Sequence, residues 1–379
     1  MRSIMKLMFL SLALMLCVAA PLRAAPLTLT DLAGRQVTLN APAQRIVLGD
    51  SRLLLALSLL HPGDPLRGIV AWDDSLRRRA PDMARRYAQA YPRLTQIPVF
   101  ANPYRSDLSV EFLLPLRPDL AIFDLGLLPR LRESGTLALL EKSGVATLFI
   151  DFRRQPLHNT VPSLRLLGQA LGESANAERF IARYQQLQQR VQRRVATIPD
   201  AERPGVVFEN HAGMTGDSCC AVFGRSGFGQ FIEAAGGRNL LADRVPDGGG
   251  DVNLEQLIAV RPARYLLSGA DWSQRGGLSL AVPLGYQATE ASTRPRLQRL
   301  LTRRGFATLP AIRDGQVMAI YHQFYDSPFN VIALEAIAAF LHPARFADVD
   351  PRADLQTLYR QYAGVEEHGL FFLRADATP

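Results

Sequence analysis

One segment of the chain occurs twice, 144 residues apart, and this repeat constrains the fold more than any other feature. The first copy, at 109–126, is SVEFLLPLRPDLAIFDLG, and the second, at 253–270, is NLEQLIAVRPARYLLSGA. The copies align without a gap, so an acid, an Arg-Pro pair and an apolar run coincide. Each copy predicts a short helix, a tight break and a buried strand. Because solenoid repeats run roughly 20–50 residues, a period this long predicts two similar lobes instead.

The bulk composition limits the class of protein. With 379 residues, the chain exceeds what one hydrophobic core usually supports, so two domains are expected. A hydrophobic share of 48% and a charged share of 21% are those of an ordinary globular protein. The net charge of +8 comes mainly from arginine, since only Lys6 and Lys142 among the 43 basic residues are lysine. These arginines are mixed with acids and form no stripe, so no nucleic-acid partner is expected.

The first 24 residues have the pattern of a cleaved signal peptide. Arg2 and Lys6 supply a basic start, residues 7–20 an apolar run, and residues 22–24 a small-residue cleavage site. The apolar run is too short to cross a bilayer comfortably. The bulky residue before Cys17 argues against a lipoprotein. We therefore expect an exported protein without a membrane anchor.

The rest of the chain alternates strand patterns with helix patterns, which is typical of parallel sheets with crossover helices. A hairpin is predicted at 27–40. The other predicted strands cover 45–49, 66–71, 96–100, 146–151, 205–210 and 316–320. Between the halves, an apolar stripe at steps of three and four runs from Phe180 to Val195 and predicts one long helix.

These patterns predict an α/β protein with two doubly wound lobes joined by a long rigid helix. The expected divisions are a signal peptide at 1–24, an N-terminal lobe at 26–157, connecting helices at 158–198, a C-terminal lobe at 199–364 and a loosely held tail at 365–379.

Several segments resemble one family, the cobalamin- and ferric-siderophore-binding periplasmic proteins of ABC importers. The likeness covers roughly residues 28–363, and the order and spacing of its motifs carry it. The matching segments are TDLAGRQVTL, QRIVLG, the two xxExLxxxRPxxxxx phrases, FGQFIEAAGGRNLLAD and FADVDPRADLQTLYRQYAG. The resemblance implies a periplasmic location, a ligand held between two lobes, and small hinge movements because a helical connection resists large closure.

The resemblance also implies where an ABC permease docks. Proteins of this family carry one acidic residue on each lobe that pairs with permease arginines, and those positions match Glu111 and Glu255. Each glutamate falls in the first turn of its predicted helix, at the same place in the repeat. An alternative is that an acid there only complements the helix dipole.

Ligands of open α/β sheets bind beyond the carboxyl ends of the strands, and this rule selects the candidate ligand-binding residues. They are Ser51, Arg52, Trp72, Tyr104 and Arg105 in the first lobe, and His211, Cys219, Cys220, Arg225, Trp272, Tyr321, His322 and Tyr325 in the second. The arginines could pair with an anionic chelate through charge-assisted hydrogen bonds, although a solvated surface role is the alternative for each.

Two of these segments have further chemistry. The loop YHQFYDSPF concentrates aromatic side chains that suit a flat ligand, and Tyr321, His322 or Tyr325 could ligate iron directly. The alternative is that its phenylalanines pack beneath the loop. The adjacent Cys219 and Cys220 could form a vicinal disulfide or remain a buried thiol pair.

We interpret the chain as a monomeric periplasmic protein that captures a ferric siderophore or similar iron chelate and delivers it to an ABC permease dimer in the inner membrane. The alternatives are haem or cobalamin as ligand, then bare zinc or manganese, which the six scattered histidines disfavour. An enzyme is not expected, since no GxSxG, HExxH or P-loop segment occurs. No intrinsic cofactor is expected, because the chelate is the cargo.

Overall fold

The protein is described by a computed structural model over residues 26–272 and 279–375. The predicted signal peptide and the last four residues of the predicted tail lie outside this range. Among the described residues, no helix combines the length and the apolar character needed to cross a membrane.

The strands alternate with helices along both halves of the chain. The strands are β1 (Leu27–Thr30), β2 (Gln36–Leu39), β3 (Ile46–Leu48), β4 (Ile69–Asp73), β5 (Val99–Phe100), β6 (Leu120–Asp124), β7 (Ala146–Ile150), β8 (Gly205–Glu209), β9 (Ala221–Val222), β10 (Arg238–Asn239), β11 (Gly250–Asp251), β12 (Arg264–Gly269), β13 (Val317–Tyr321) and β14 (Phe372–Arg374).

The helices are α1 (Leu54–Leu60), α2 (Ser75–Arg79), α3 (Pro81–Ala90), α4 (Val110–Leu113), α5 (Leu128–Glu133), α6 (Thr136–Lys142), α7 (Pro156–Ala170), α8 (Ser174–Val195), α9 (Gly229–Ala234), α10 (Leu254–Ala259), α11 (Glu290–Leu301), α12 (Pro310–Arg313), α13 (Asn330–Leu341) and α14 (Pro351–Leu358).

The first lobe is built on a parallel sheet with strand order β5-β4-β3-β6-β7. Its central strands are buried on both faces. In β6, Ile122 packs into the core that continues into the rest of the molecule, whereas its neighbour Phe123 packs into a separate core on the opposite face. Two buried faces require helices on both sides of the sheet, so the predicted doubly wound arrangement is confirmed.

The second lobe repeats this plan around the parallel strands β10-β8-β12-β13. Antiparallel strands extend the sheet, with β9 and β11 at one side and β14 at the other. Strand β14 pairs with β13 through Phe372, Leu373 and Arg374. The expectation of a loosely held tail is therefore wrong for these residues, because a three-residue edge strand carries too little pattern to be recognised.

The lobes are connected by α8, a 22-residue helix that we call the spine helix. Its buried face contains Phe180, Tyr184, Leu187, Val191 and Val195, as the stripe predicted. At a rise of 1.5 Å per residue the spine helix is about 33 Å long. It packs against α1 of the first lobe and α13 of the second, and its buried face belongs to the core that continues through both lobes.

A second junction holds α3 of the first lobe against the second lobe. The buried Asp82 carboxylate accepts a 3.0 Å hydrogen bond from the backbone N–H of Tyr286. The Tyr87 hydroxyl donates to the Ala363 carbonyl at 2.7 Å, and the guanidinium of Arg85 lies 2.5 Å from the Asp271 carboxylate. These polar contacts hold α3 against the second lobe, and together with the spine helix they fix the relative position of the lobes.

The two copies of the repeat adopt the same structure. In each, a polar N-cap side chain begins a short helix: Ser109 accepts from the Phe112 N–H, and Asn253 from the Gln256 N–H. Each helix is followed by an arginine with left-handed backbone, at φ 44° for Arg117 and 47° for Arg261. The strands β6 and β12 follow directly.

The spine helix also forms a polar contact with the fully buried Glu335 of α13. The Nε of Arg190 donates to Glu335 at 2.9 Å, and the same guanidinium pairs with Asp354. Burial raises the pKa of Glu335 to about 7, although the hydrogen bond and charge of Arg190 oppose this shift. Because the folded-state pKa lies above the ordinary value of 4.5, the folded protein favours the protonated carboxyl.

We therefore expect the contribution of Glu335 to stability to be complete below about pH 4.5 and lost as the pH rises through about 7. The variant Glu335→Gln should show a smaller decrease in melting temperature from pH 5 to pH 8 than the unmodified protein. Thermal unfolding of both proteins across this range measures the difference. Identical pH profiles would show that Glu335 does not titrate in this way.

Candidate functional site

The carboxyl ends of the two parallel sheets face each other, and Arg52 connects them. Arg52 follows β3 in the first lobe and is 8% exposed. Its guanidinium donates to the Gln323 side chain at 3.0 Å and pairs with Asp326, both in the segment after β13 of the second lobe. It also pairs with Asp50 of its own lobe. The region between the strand ends is the candidate ligand cleft.

Three guanidinium groups share this cleft. Burial lowers the pKa of Arg79, and the positive charges of Arg52 and Arg153 lower it further. The electrostatic interaction with Tyr325 is the main cause of the raised pKa of Arg153, which also lies over the Tyr104 ring at 5.3 Å. Neither Arg79 nor Arg153 forms an ion pair with a carboxylate within 26–272 and 279–375. The three guanidinium groups of the cleft all come from the first lobe.

Imidazole and aromatic rings form the second-lobe side. The rings of His211 and His322 are centred 4.2 Å apart, and both lie about 5 Å from the Trp272 ring, at 5.2 and 5.1 Å. The Tyr325 ring is 5.2 Å from His322. Burial lowers the pKa of His322 well below 6.5, and the nearby His211 and the three cleft arginines lower it further. A neutral imidazole has a lone pair available for a metal centre.

Carboxylates balance the arginines in the closed cleft. Burial raises the pKa of Asp326 and of Asp124, while nearby arginines oppose both shifts. Asp124 also accepts a hydrogen bond from the Tyr104 hydroxyl. The cavity beside Arg153 has a volume of about 20 Å³, which is room for one or two water molecules. A larger ligand therefore has to displace side chains. The contacts that cross the cleft include the Arg52–Asp326 ion pair and a 2.7 Å hydrogen bond from the Gln323 side chain to the Arg79 carbonyl.

Seven of the predicted ligand-binding residues lie in the cleft or at its border. These residues are Arg52, Tyr104, His211, Trp272, His322 and Tyr325, with Tyr321 at the border. The Tyr321 hydroxyl points to the Asp82 carboxylate, 3.4 Å away, and its ring packs against Tyr286, Phe324 and Phe371.

Other predicted residues have different surroundings. Ser51 is fully buried and bonds Asp73 through both its N–H, at 2.7 Å, and its hydroxyl, at 2.9 Å. Trp72 is part of the hydrophobic core. Arg105 is exposed and pairs with Asp74 at 2.7 Å, and Arg225 is exposed and pairs with Asp243.

The adjacent cysteines form a vicinal disulfide in the loop after β8. The sulfur of Cys220 lies 4.0 Å from the Tyr265 hydroxyl, which donates to Glu209 at 2.7 Å. Glu209 is in turn bound by the buried Arg303. The disulfide is thus placed against a buried polar network of the second lobe.

The sequence reasoning missed three cleft residues. Arg153 follows β7 and could have been selected by the strand-end rule that selected the others. Asp326 lies in the YHQFYDSPF loop, where the aromatic residues give the stronger signal. Arg79 ends α2, a full helix beyond the end of β4, so the strand-end rule does not select it.

The two glutamates of the repeat lie apart from the cleft. Glu111 and Glu255 are exposed and occupy the first turn of α4 and α10. The Ser109 hydroxyl donates to Glu111 at 3.1 Å. Both carboxylates are therefore free to approach a partner from solvent.

Comparison with known proteins gives a consistent result. A family model described as periplasmic binding protein matches residues 69–323. The solved structure of the TroA-like periplasmic binding protein FepB from Veillonella parvula is 27% identical, with a TM-score of 0.84, over 93% of this chain and 100% of that one. The periplasmic haem-binding protein RhuT from Roseiflexus sp. RS-1 is 23% identical, with a TM-score of 0.56, over 80% of this chain and 99% of that one. A search of curated proteins found no match.

The lowered pKa of His322 gives a direct test of the cleft. We expect its ring to remain neutral from pH 8 to pH 6, because burial and the surrounding arginines disfavour the imidazolium. Heteronuclear NMR of the histidine rings measures this, with His322→Asn identifying the resonance. A titration midpoint near 6.5 would mean that solvent reaches the ring.

Proposed function

The chain belongs to the periplasmic binding protein family, and on this premise we propose that it captures an anionic ferric chelate of the siderophore type and delivers it to an inner-membrane ABC importer. Proteins of this family bind their substrate in the periplasm and work with an ABC permease. Export by the signal peptide at 1–24 and a monomeric state are parts of the same proposal.

The observation that carries the ligand class is the arginine cluster. Arg52, Arg79 and Arg153 lower the pKa of the same His322 ring, so their charges act on one small volume. Burial and the charges of Arg52 and Arg153 lower the pKa of Arg79, while the carboxylates of Asp50 and Asp326 offset part of this repulsion. An anionic ligand would relieve the remaining repulsion. Arginine forms bidentate, charge-assisted hydrogen bonds to carboxylate, catecholate and similar oxygens. A ferric chelate with a negative charge fits this cleft better than near-neutral cobalamin does.

Binding on this proposal exchanges one anion for another. In the structure, Arg52 pairs with Asp326 across the lobes. A chelate oxygen would take the place of the Asp326 carboxylate, and the aromatic side of the cleft would contact the face of the chelate. The neutral His322 and its neighbour His211 would stand beside the metal.

Haem is the second candidate, because the second-lobe side of the cleft combines His211, His322 and Tyr325. Imidazole and phenolate are both common haem ligands. RhuT, which has a similar fold, is a periplasmic haem-binding protein. A Soret band in protein incubated with haem, and its loss in His322→Ala, would favour this candidate over a siderophore.

Removing one unpaired cleft charge should weaken chelate binding strongly. We expect Arg79→Gln and Arg153→Gln each to raise the Kd for an anionic ferric chelate by about 10- to 100-fold, the value of one or two charge-assisted hydrogen bonds. Quenching of Trp272 fluorescence measures binding, since this ring contacts both cleft histidines. The panel comprises ferric tris-catecholate, ferric trihydroxamate and ferric citrate complexes, with haem and cobalamin.

Arg105→Gln is the matched control, because Arg105 is an exposed arginine of the same lobe, paired with Asp74. It should leave the Kd unchanged. If no member of the panel bound more tightly than about 10 µM, the proposed ligand class would be wrong.

The docking glutamates are tested independently of the ligand. Glu111→Ala combined with Glu255→Ala should abolish chelate uptake by cells while leaving the Kd of the purified protein intact, because the carboxylates lie outside the cleft. Glu290→Ala is the control, since Glu290 is also an exposed acid in the first turn of a helix. Uptake that survives the double substitution would contradict a docking role, and a weakened Kd would assign the glutamates to the fold.

A further inference from the structure

Large exposed apolar side chains concentrate beside one of the two glutamates. In the described residues, those with the greatest exposure are Phe112 at 40%, Leu114 at 38% and Leu139 at 43%. Phe112 follows Glu111 directly, Leu114 comes after the buried Leu113, and Leu139 lies on α6, which packs against α4. Exposed apolar groups that gather in one place mark an interaction surface.

The second lobe lacks this surface at the equivalent place. In the gap-free alignment of the repeat, Phe112 corresponds to Gln256 and Leu114 to Ile258. Gln256 completes a capping box with Asn253, and Ile258 is half-buried against the core. The two lobes therefore present the same carboxylate in different surroundings.

We propose that Glu111, Phe112, Leu114 and Leu139 form an apolar docking surface on the first lobe, which binds an apolar depression beside a basic side chain of the ABC permease, whereas the second lobe docks through Glu255 without apolar support. This inference rests on the proposed delivery to a permease. It adds that the two contacts differ in chemistry and in strength.

Charge and position favour the permease over a second copy of this chain. A symmetric dimer formed through this surface would bring Glu111 close to its own copy, and like charges at an interface are unfavourable. A permease with a basic residue provides the complementary charge. Apolar contacts around the ion pair would also exclude water from it and so strengthen it.

Phe112→Gln is a sharp test because it gives the first lobe the residue of the second. Glutamine at this position can complete a capping box with Ser109, so the helix keeps or gains stability while the apolar group is lost. We expect Phe112→Gln to weaken docking about fivefold, since the exposed part of a phenylalanine is lost from the interface. Leu114→Gln should weaken docking to a similar extent.

The measurement is biolayer interferometry of each protein on the ABC importer that supports its uptake, held in lipid nanodiscs. The matched control is Ile258→Gln, the equivalent of Leu114→Gln in the second lobe, which should leave docking unchanged. Melting temperature and chelate Kd are measured for every variant, and docking values are compared only among proteins that remain folded.

The combined Glu111→Ala and Glu255→Ala variant separates this inference from the proposed function. If that variant loses docking while Phe112→Gln and Leu114→Gln retain it, the apolar surface has no docking role and the proposed function stands. If the double glutamate variant docks normally, the permease does not bind through Glu111 and Glu255, and both the proposed docking site and this inference are wrong. A concentration-dependent dimer that disappears in Phe112→Gln would overturn the inference by assigning the surface to a second copy of the chain.

Discussion

The Asp82 carboxylate belongs to helix α3 of the first lobe, yet its hydrogen bond partners, the Tyr286 N–H and the Tyr321 hydroxyl, belong to the second. Burial raises the pKa of Asp82 to about 6. Together with the spine helix, this contact sets how the two sheets face each other. The position of Arg52 opposite Asp326 depends on that arrangement, because the two residues follow strands of different lobes. The cleft is therefore a product of the lobe junctions and not of either lobe alone.

The electrostatics of the cleft follow from this geometry. Parallel sheets place the residues that follow their strands at one edge, and two such edges in opposition concentrate polar side chains in a small, partly buried volume. Strongly shifted pKa values occur at functional sites for this reason. Here the arginines lie mainly on one side and the imidazoles on the other. An asymmetric chelate would consequently have one preferred orientation, with its anionic oxygens toward the first lobe.

The sequence predicted the architecture better than the site. The repeat and the stripe of the spine helix depend on periodic burial, which is a local property, and both were confirmed. Ser51 follows β3 and Trp72 lies near the carboxyl end of β4, but both side chains turn into the protein. A strand-end rule cannot distinguish a side chain that faces the cleft from one that faces the core. Arg79 reaches the cleft from the end of a helix, which only the tertiary structure reveals. Pairing of β14 with β13 likewise depends on residues far apart in the chain.

The left-handed arginines of the repeat have a geometric consequence. Because Arg117 and Arg261 turn the chain in the same way, each glutamate-bearing helix has a fixed orientation relative to the strand that follows it. Strand β6 lies between β3 and β7, and β12 lies between β8 and β13, so each helix is attached to the interior of its sheet. The distance from Glu111 to Glu255 is then a gauge of the angle between the sheets. A partner that binds both carboxylates would therefore respond to that angle without contacting the cleft.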